Sequence, residues 1–148
     1  MKKFLASALL LAAVSTQASA ASPESKILRA GVDRVKAAVD AKIVLLGGDV
    51  DADEADFVLL NYLLKSSRAF ENTSDYLDLS DAGFDAGDVD AYLNNFALAC
   101  NRVAASRAQL GNAYRRAKAI GSTDPTPAFI QLQVTDITDT RDSAGCPL

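Results

Sequence analysis

A chain of 148 residues with 15 basic and 19 acidic side chains carries a net charge of −4 and contains no histidine and no tryptophan. Without imidazole there is no Ser-His-Asp or Cys-His machinery and no histidine ligand for zinc, copper or haem. The acidic balance makes nucleic acid and anionic lipid poor partners, because both would be repelled.

Residues 1–20 divide into three parts. Lys2 and Lys3 form a positive start, residues 4–14 are an apolar stretch, and Ala18-Ser19-Ala20 presents small residues at alternate positions. This is the pattern of a cleavable secretory signal peptide, with the mature chain starting at Ala21 in a periplasmic or secreted setting. The apolar stretch is about half of the ~20 residues that a membrane span needs, and no later run reaches ~18. Stable membrane insertion is therefore not expected. The remaining 128 residues suffice for a single helical domain, 21–148, with 13 bases against 19 acids, a net charge of −6. With Met1 leaving in the signal, methionine-based soft copper sites are also out.

Ser22-Pro23-Glu24 is a helix start, with a capping hydroxyl, a proline for the first turn and an acid near the positive end of the dipole. Leu28, Val32, Val35, Val39, Ile43 and Leu46 follow at helical spacing, and Gly47-Gly48 supplies a stop. A second helix opens at Asp51-x-x-Glu54, a capping-box pattern, and runs through Phe57, Val58, Leu59, Leu60, Tyr62, Leu63 and Leu64 towards Lys65 and Arg68. Residues 69–87 break the pattern with Asn72, Thr73, Ser74, Gly83 and Gly87, and are expected to be irregular and the natural place for a functional loop. Tyr76, Leu77, Leu79 and Phe84 would pack that stretch onto the core.

A third helix is expected from about residue 88 to 120, stopping at Gly121. Val89, Leu93, Phe96, Cys100, Val103, Arg107, Leu110, Tyr114 and Ala117 alternate at spacings of four and three, a heptad seam interrupted by Arg107. At ~1.5 Å per residue the helix spans roughly 50 Å. After Asp124-Pro125-Thr126-Pro127, residues 128–140 fit either a strand or a helix. A lone strand would lack a partner and Thr126-Pro127 can start a helix, so helix is preferred. The fold class that follows is all-α, an antiparallel bundle of about four helices with one long central helix. An even cysteine count in an exported chain predicts one disulfide, Cys100–Cys146, closing a loop of 45 intervening residues. Loop-closure entropy puts its contribution at about 4 kcal/mol.

Charge is unevenly spread. Residues 49–90 hold twelve acids and two bases, and residues 91–123 hold five bases and no acid. Helix dipoles account for much of this, with acids at helix starts and bases at helix ends. A sharper reading is a cation site. Asp49, Asp51 and Asp53 begin like an EF-hand loop, but Glu54 replaces the turn glycine at position 6 and Leu60 the bidentate acid at position 12. Gly48-Asp49-Val50-Asp51, with Leu59-Leu60 and Tyr62-Leu63-Leu64, resembles the calcium loops of dockerin modules, yet several loop residues are missing and the family does not follow. Asp81, Asp85 and Asp88 form a second acidic set. No cofactor is otherwise expected, and calcium is the one metal left open.

Arg107 on the seam would snorkel from the bundle edge, pair with an interior Asp, or face a partner; with Arg115 and Arg116 it is a candidate partner-binding residue. Many carboxylates are available for acid–base chemistry, but nothing singles out a pair, so the chain is not expected to be an enzyme and a carboxylate-dependent one ranks last. The leading expectation is a non-enzymatic exported protein that binds another protein, possessing the features of an inhibitor, immunity or assembly factor, with a basic partner steered by the acidic 49–90 segment. The alternative is a calcium or small-ligand binding bundle that uses the same segment.

Overall fold

The computed structural model describes residues 21–47, 54–122 and 126–147. Four helices account for nearly all of them: α1 (Pro23–Gly47), α2 (Glu54–Ala86), α3 (Val89–Ala119) and α4 (Thr126–Ser143). No strand occurs among the described residues, and residues 128–140 are helical. Ser22 caps α1 as its position suggests, its hydroxyl accepting the Ser25 N–H at 3.1 Å. Asp88 does the same for α3, its carboxylate accepting the Ala91 N–H at 3.0 Å. Asp51, the expected cap of α2, lies outside the described residues.

The irregular stretch expected at residues 69–87 is instead an unbroken continuation of α2, which at 33 residues matches α3 in length. Thr73, Ser74 and Gly83 each have a local reason to tolerate the helix. Thr73 Oγ1 donates back to the Ala69 carbonyl at 2.9 Å and Ser74 Oγ to the Phe70 carbonyl, so both hydroxyls are satisfied within their own turn. Gly83 is there for space, since a Cβ would sit 2.7 Å from the Tyr92 backbone nitrogen of α3. The true break is Gly87, at φ +70°, which turns the chain from α2 into α3. The molecule therefore has two long central helices rather than one, joined as a hairpin.

The seam of α3 also differs from expectation. Its buried residues are Phe96, Ala99, Cys100, Val103, Ser106, Leu110, Ala113 and Ala117. Ser106 and Ala113 take the positions that apolarity had assigned to Arg107 and Tyr114, and Ala99 is buried beside Cys100. Small residues are needed there because α2 approaches closely: Ser66 and Ser106, both fully buried, hydrogen-bond through their hydroxyls at 2.6 Å. Arg107 is one residue past the seam and exposed, neither snorkelling from a core position nor paired inside. Val89 and Leu93 are exposed as well.

Helix α1 packs against α2 and α4, and α3 against α2 and α4, so the four form a ring in chain order. Every neighbouring pair runs antiparallel. Arg29 meets Asp81 while Lys36 meets Glu71 across α1 and α2; Arg34 meets Asp136 across α1 and α4; Cys100 of α3 meets Cys146 beyond the end of α4. This is an up-down-up-down bundle. Its axis is filled by Leu28, Val32, Val35 and Val39 of α1, Leu59, Leu63, Phe70 and Leu77 of α2, Val103 and Leu110 of α3, and Ile130 and Ile137 of α4, all 2 % exposed or less.

Candidate functional site

The ring leaves α2 and α3 longer than their neighbours. Helix α4 has 18 residues and α3 has 31, and the chain beyond α4 is tied back to Cys100. Residues 89–99 of α3 consequently extend past the cover that α4 provides. Around the Gly87 turn, Phe84, Val89 and Tyr92 line a surface depression of about 310 Å³ together with Gly83, Gly87 and Asp88. Val89 is 63 % exposed and Leu93, one helical turn further on the same face, 54 %. Beneath them three aromatic rings pack in series. Phe84 meets Tyr92 edge-on with centroids 5.4 Å apart, and Tyr92 stacks on Phe96 at 6.2 Å. The Tyr92 hydroxyl donates to Ser22 Oγ at 3.2 Å and lies 3.4 Å from Glu24, which fixes the ring against the start of α1.

This hairpin tip is strongly acidic. Glu24, Asp85, Asp88 and Asp90 are all exposed around it, and residues 83–101 contain no base. The Glu24 carboxyl is held below the ordinary carboxylate range, chiefly by its own backbone N–H at the α1 start, against the opposing effect of burial, with the Ser22 and Tyr92 hydroxyls adding lesser contributions. It is therefore an anion at neutral pH.

Further along the bundle, acidic residues of α2 hold α1. Arg29 Nη2 donates to Asp78 at 2.8 Å and Asp81 at 3.0 Å. Burial alone would lower the Arg29 pKa, but hydrogen bonds and charge from Asp81 and Asp78 raise it overall. Lys36 donates to Asp40 at 2.6 Å and sits 3.3 Å from Glu71; its pKa is raised, mainly by the Asp40 hydrogen bond. Asp40 also accepts from Ser67 at 2.6 Å.

The sequence-derived candidates fall in different places. Cys100 and Cys146 are joined, with Cα atoms 5.6 Å apart. Asp49, Asp51 and Asp53 lie outside the described residues. Asp81 is buried in its pair with Arg29, its Oδ1 without a hydrogen bond, whereas Asp85 and Asp88 are exposed and Asp88 is used as a helix cap. Among the described residues, no three acidic side chains gather closely enough to hold a metal ion. Arg107 and Arg115 are exposed and Arg116 is half-buried. Nine residues apart, Arg107 and Arg116 point to opposite sides of α3 and do not share a surface. Two other bases sit on rings instead, Arg102 over Tyr76 at 5.9 Å and Lys118 over Tyr114 at 5.6 Å.

What the pattern missed is the tip itself. Val89 and Leu93 read as core and Phe84 as loop packing, because their heptad spacing is sound. The missed signal is length: a heptad seam that outruns the helix meant to cover it must end in the open. A second apolar surface lies at the opposite end, where Phe57, Val58, Leu60, Asn61 and Leu64 of α2 line a shallow depression, and Val44 and Leu45 of α1 are each over 70 % exposed. The chain matches no protein-family model, no curated protein and no solved structure.

Proposed function

We propose that the protein is an exported, non-enzymatic helical bundle that binds another protein through its surface. The observation that carries this reading is the contrast between a fully closed core and large apolar side chains left in the open: Val44, Leu45, Phe57, Val89 and Leu93 are all more than half exposed. Clustered apolar surface with polar surroundings is characteristic of interaction sites, because leaving it wet costs free energy that a partner recovers. Export is supported by the small-residue pattern at 18–20 and agrees with a disulfide-bonded pair, which persists in oxidising compartments. Inhibitor, immunity and assembly roles all fit such a surface. A basic partner is favoured by the −6 charge of the mature chain.

The test uses the mature chain, residues 21–148, as immobilised bait for the exported proteins of its own host. A specific partner should be retained at low ionic strength and released as salt rises towards ~0.5 M, because exposed charges are screened beyond a few Å there. Failure to retain any exported protein at low ionic strength would count against the reading.

A further inference from the structure

We propose that the α2–α3 hairpin tip is a docking site for a cationic amphipathic helical segment of a partner protein. The inference rests on the protein-binding reading above and names the place and the chemistry. Phe84, Val89, Tyr92 and Leu93 provide the apolar floor and ridge, and Glu24, Asp85, Asp88 and Asp90 surround them with negative charge. The nearest base in sequence is Lys26, one turn into α1. The site is preformed: Tyr92 is pinned by Ser22 and gripped between Phe84 and Phe96. Little side-chain ordering therefore remains to oppose binding.

The ring of charge selects the occupant. Two tips of this same chain would bring eight acids together, so a second copy is repelled. Anionic lipid is repelled for the same reason. A depression of about 310 Å³ is at the small end of ligand pockets and is open, which suits one or two inserted side chains. The complementary ligand is a helix that places Leu or Phe in the depression and Lys or Arg over the rim, the helix-in-groove mode.

The probe is a synthetic helical peptide with leucines on one face and lysines on the other, compared with the same peptide carrying glutamate for lysine. Binding is read by fluorescence anisotropy on the mature chain. The lysine peptide should bind and the glutamate peptide should not. Val89→Ser/Leu93→Ser should weaken binding by about tenfold or more, the size expected on truncating central contacts. Phe57→Ser/Leu64→Ser at the opposite end should leave it unchanged. Both tip side chains are over half exposed, so the double variant should melt like the parent. Asp90→Lys, which alters no apolar surface, should weaken binding and flatten its salt dependence. Equal loss from the two double variants, equal binding of both peptides, or concentration-dependent dimerisation abolished by Val89→Ser/Leu93→Ser would overturn the site. None of these results bears on whether the immobilised chain retains an exported partner, so the two readings fail separately.

Discussion

Gly31 and Gly111 are both helical glycines, and the packing around them predicts opposite responses to alanine. At Gly31 a Cβ would lie 2.7 Å from the Thr140 Cβ of α4, so the two helices touch through the missing side chain. Thr140 is buried and stiff at χ1, and rotating it does not move its own Cβ away. Overpacking of this kind costs about 1–3 kcal/mol, which outweighs the roughly 1 kcal/mol gained in helix propensity. Gly31→Ala should therefore lower the melting temperature, and Thr140→Ala in the same chain should restore part of it by removing the γ atoms. Nothing lies within 4 Å of a Cβ at Gly111, so Gly111→Ala should raise stability by about 0.5–1 kcal/mol. The Ser66–Ser106 pair yields to similar reasoning. Ser106 Oγ donates to the Ser66 carbonyl at 3.0 Å, which leaves the Ser66 hydroxyl to donate to Ser106 Oγ. Ser106→Ala should cost about 1–3 kcal/mol by taking the partner from the buried Ser66 hydroxyl, and Ser66→Ala should cost less, because Ser106 Oγ keeps its bond to the Ser66 carbonyl. The double change should cost less than the sum, measured by urea denaturation of all four members of the cycle.

Helix α1 is held to its two neighbours by charge as well as by its apolar stripe. The Arg34 fork grips Asp136 of α4, with Nε donating at 2.8 Å, and the Asp136 carboxyl is held below its ordinary range, first by that hydrogen bond and then by the guanidinium charge, against opposing burial. A carboxyl lowered in the folded state contributes stability that is present above its unfolded pKa, about 4, and is lost as pH falls through the folded value. Glu24 has the same sign. Acidification below about pH 4 should thus destabilise the bundle, and Arg34→Gln should make that acid limb shallower while costing no more than ~1 kcal/mol at neutral pH, since the pair is partly exposed. Thermal melts between neutral pH and about pH 3 would show both effects. At this scale the sequence was partly legible. The ends of α1 and α3 and the helical state of α4 followed from caps, glycines and 3–4 spacing. Helix α2 was cut short because Thr73, Ser74 and Gly83 carry loop propensity, and only their back-bonding and the approach of α3 reverse it. The charge contacts were legible in principle: Arg29 and Lys36 are seven apart, as are Glu71 and Asp78, which aligns two rows once the helices are antiparallel.

For the whole molecule, the heptad argument reached the right architecture and much of the buried face of α3, with Phe96, Cys100, Val103, Leu110 and Ala117 inside, but it missed the small residues that share that face. Apolarity marks large side chains, whereas the tight α2–α3 contact is made through Ala99, Ser106 and Ala113, whose smallness is a property of the pair and invisible in either helix alone. The same limit concealed the tip, whose exposure is set by the short length of α4. Cys100 and Cys146 were legible, since a chain with two cysteines offers one internal pair. Their bond joins the middle of the chain to its last described turn, a sequence separation of 46. Cys100→Ser/Cys146→Ser should reduce unfolding free energy by about 2–4 kcal/mol, read from the urea midpoint under conditions where the parent stays oxidised.

The closed ring has no seam between its first and last helices, because α1 and α4 are packed neighbours like any other pair. Ser22 touches Tyr92 and Cys146 is bonded to Cys100, so both ends of the described chain lie along eight residues of α3, about 12 Å of helix axis. A linker of about six residues can reach up to ~20 Å. Joining residue 147 to residue 21 and opening the chain at 123–125 should give a circular permutant in the order α4, α1, α2, α3 with the helicity and melting temperature of the parent. The order of synthesis would then be interchangeable, and the architecture would belong to the cycle of contacts instead of to any starting point on it.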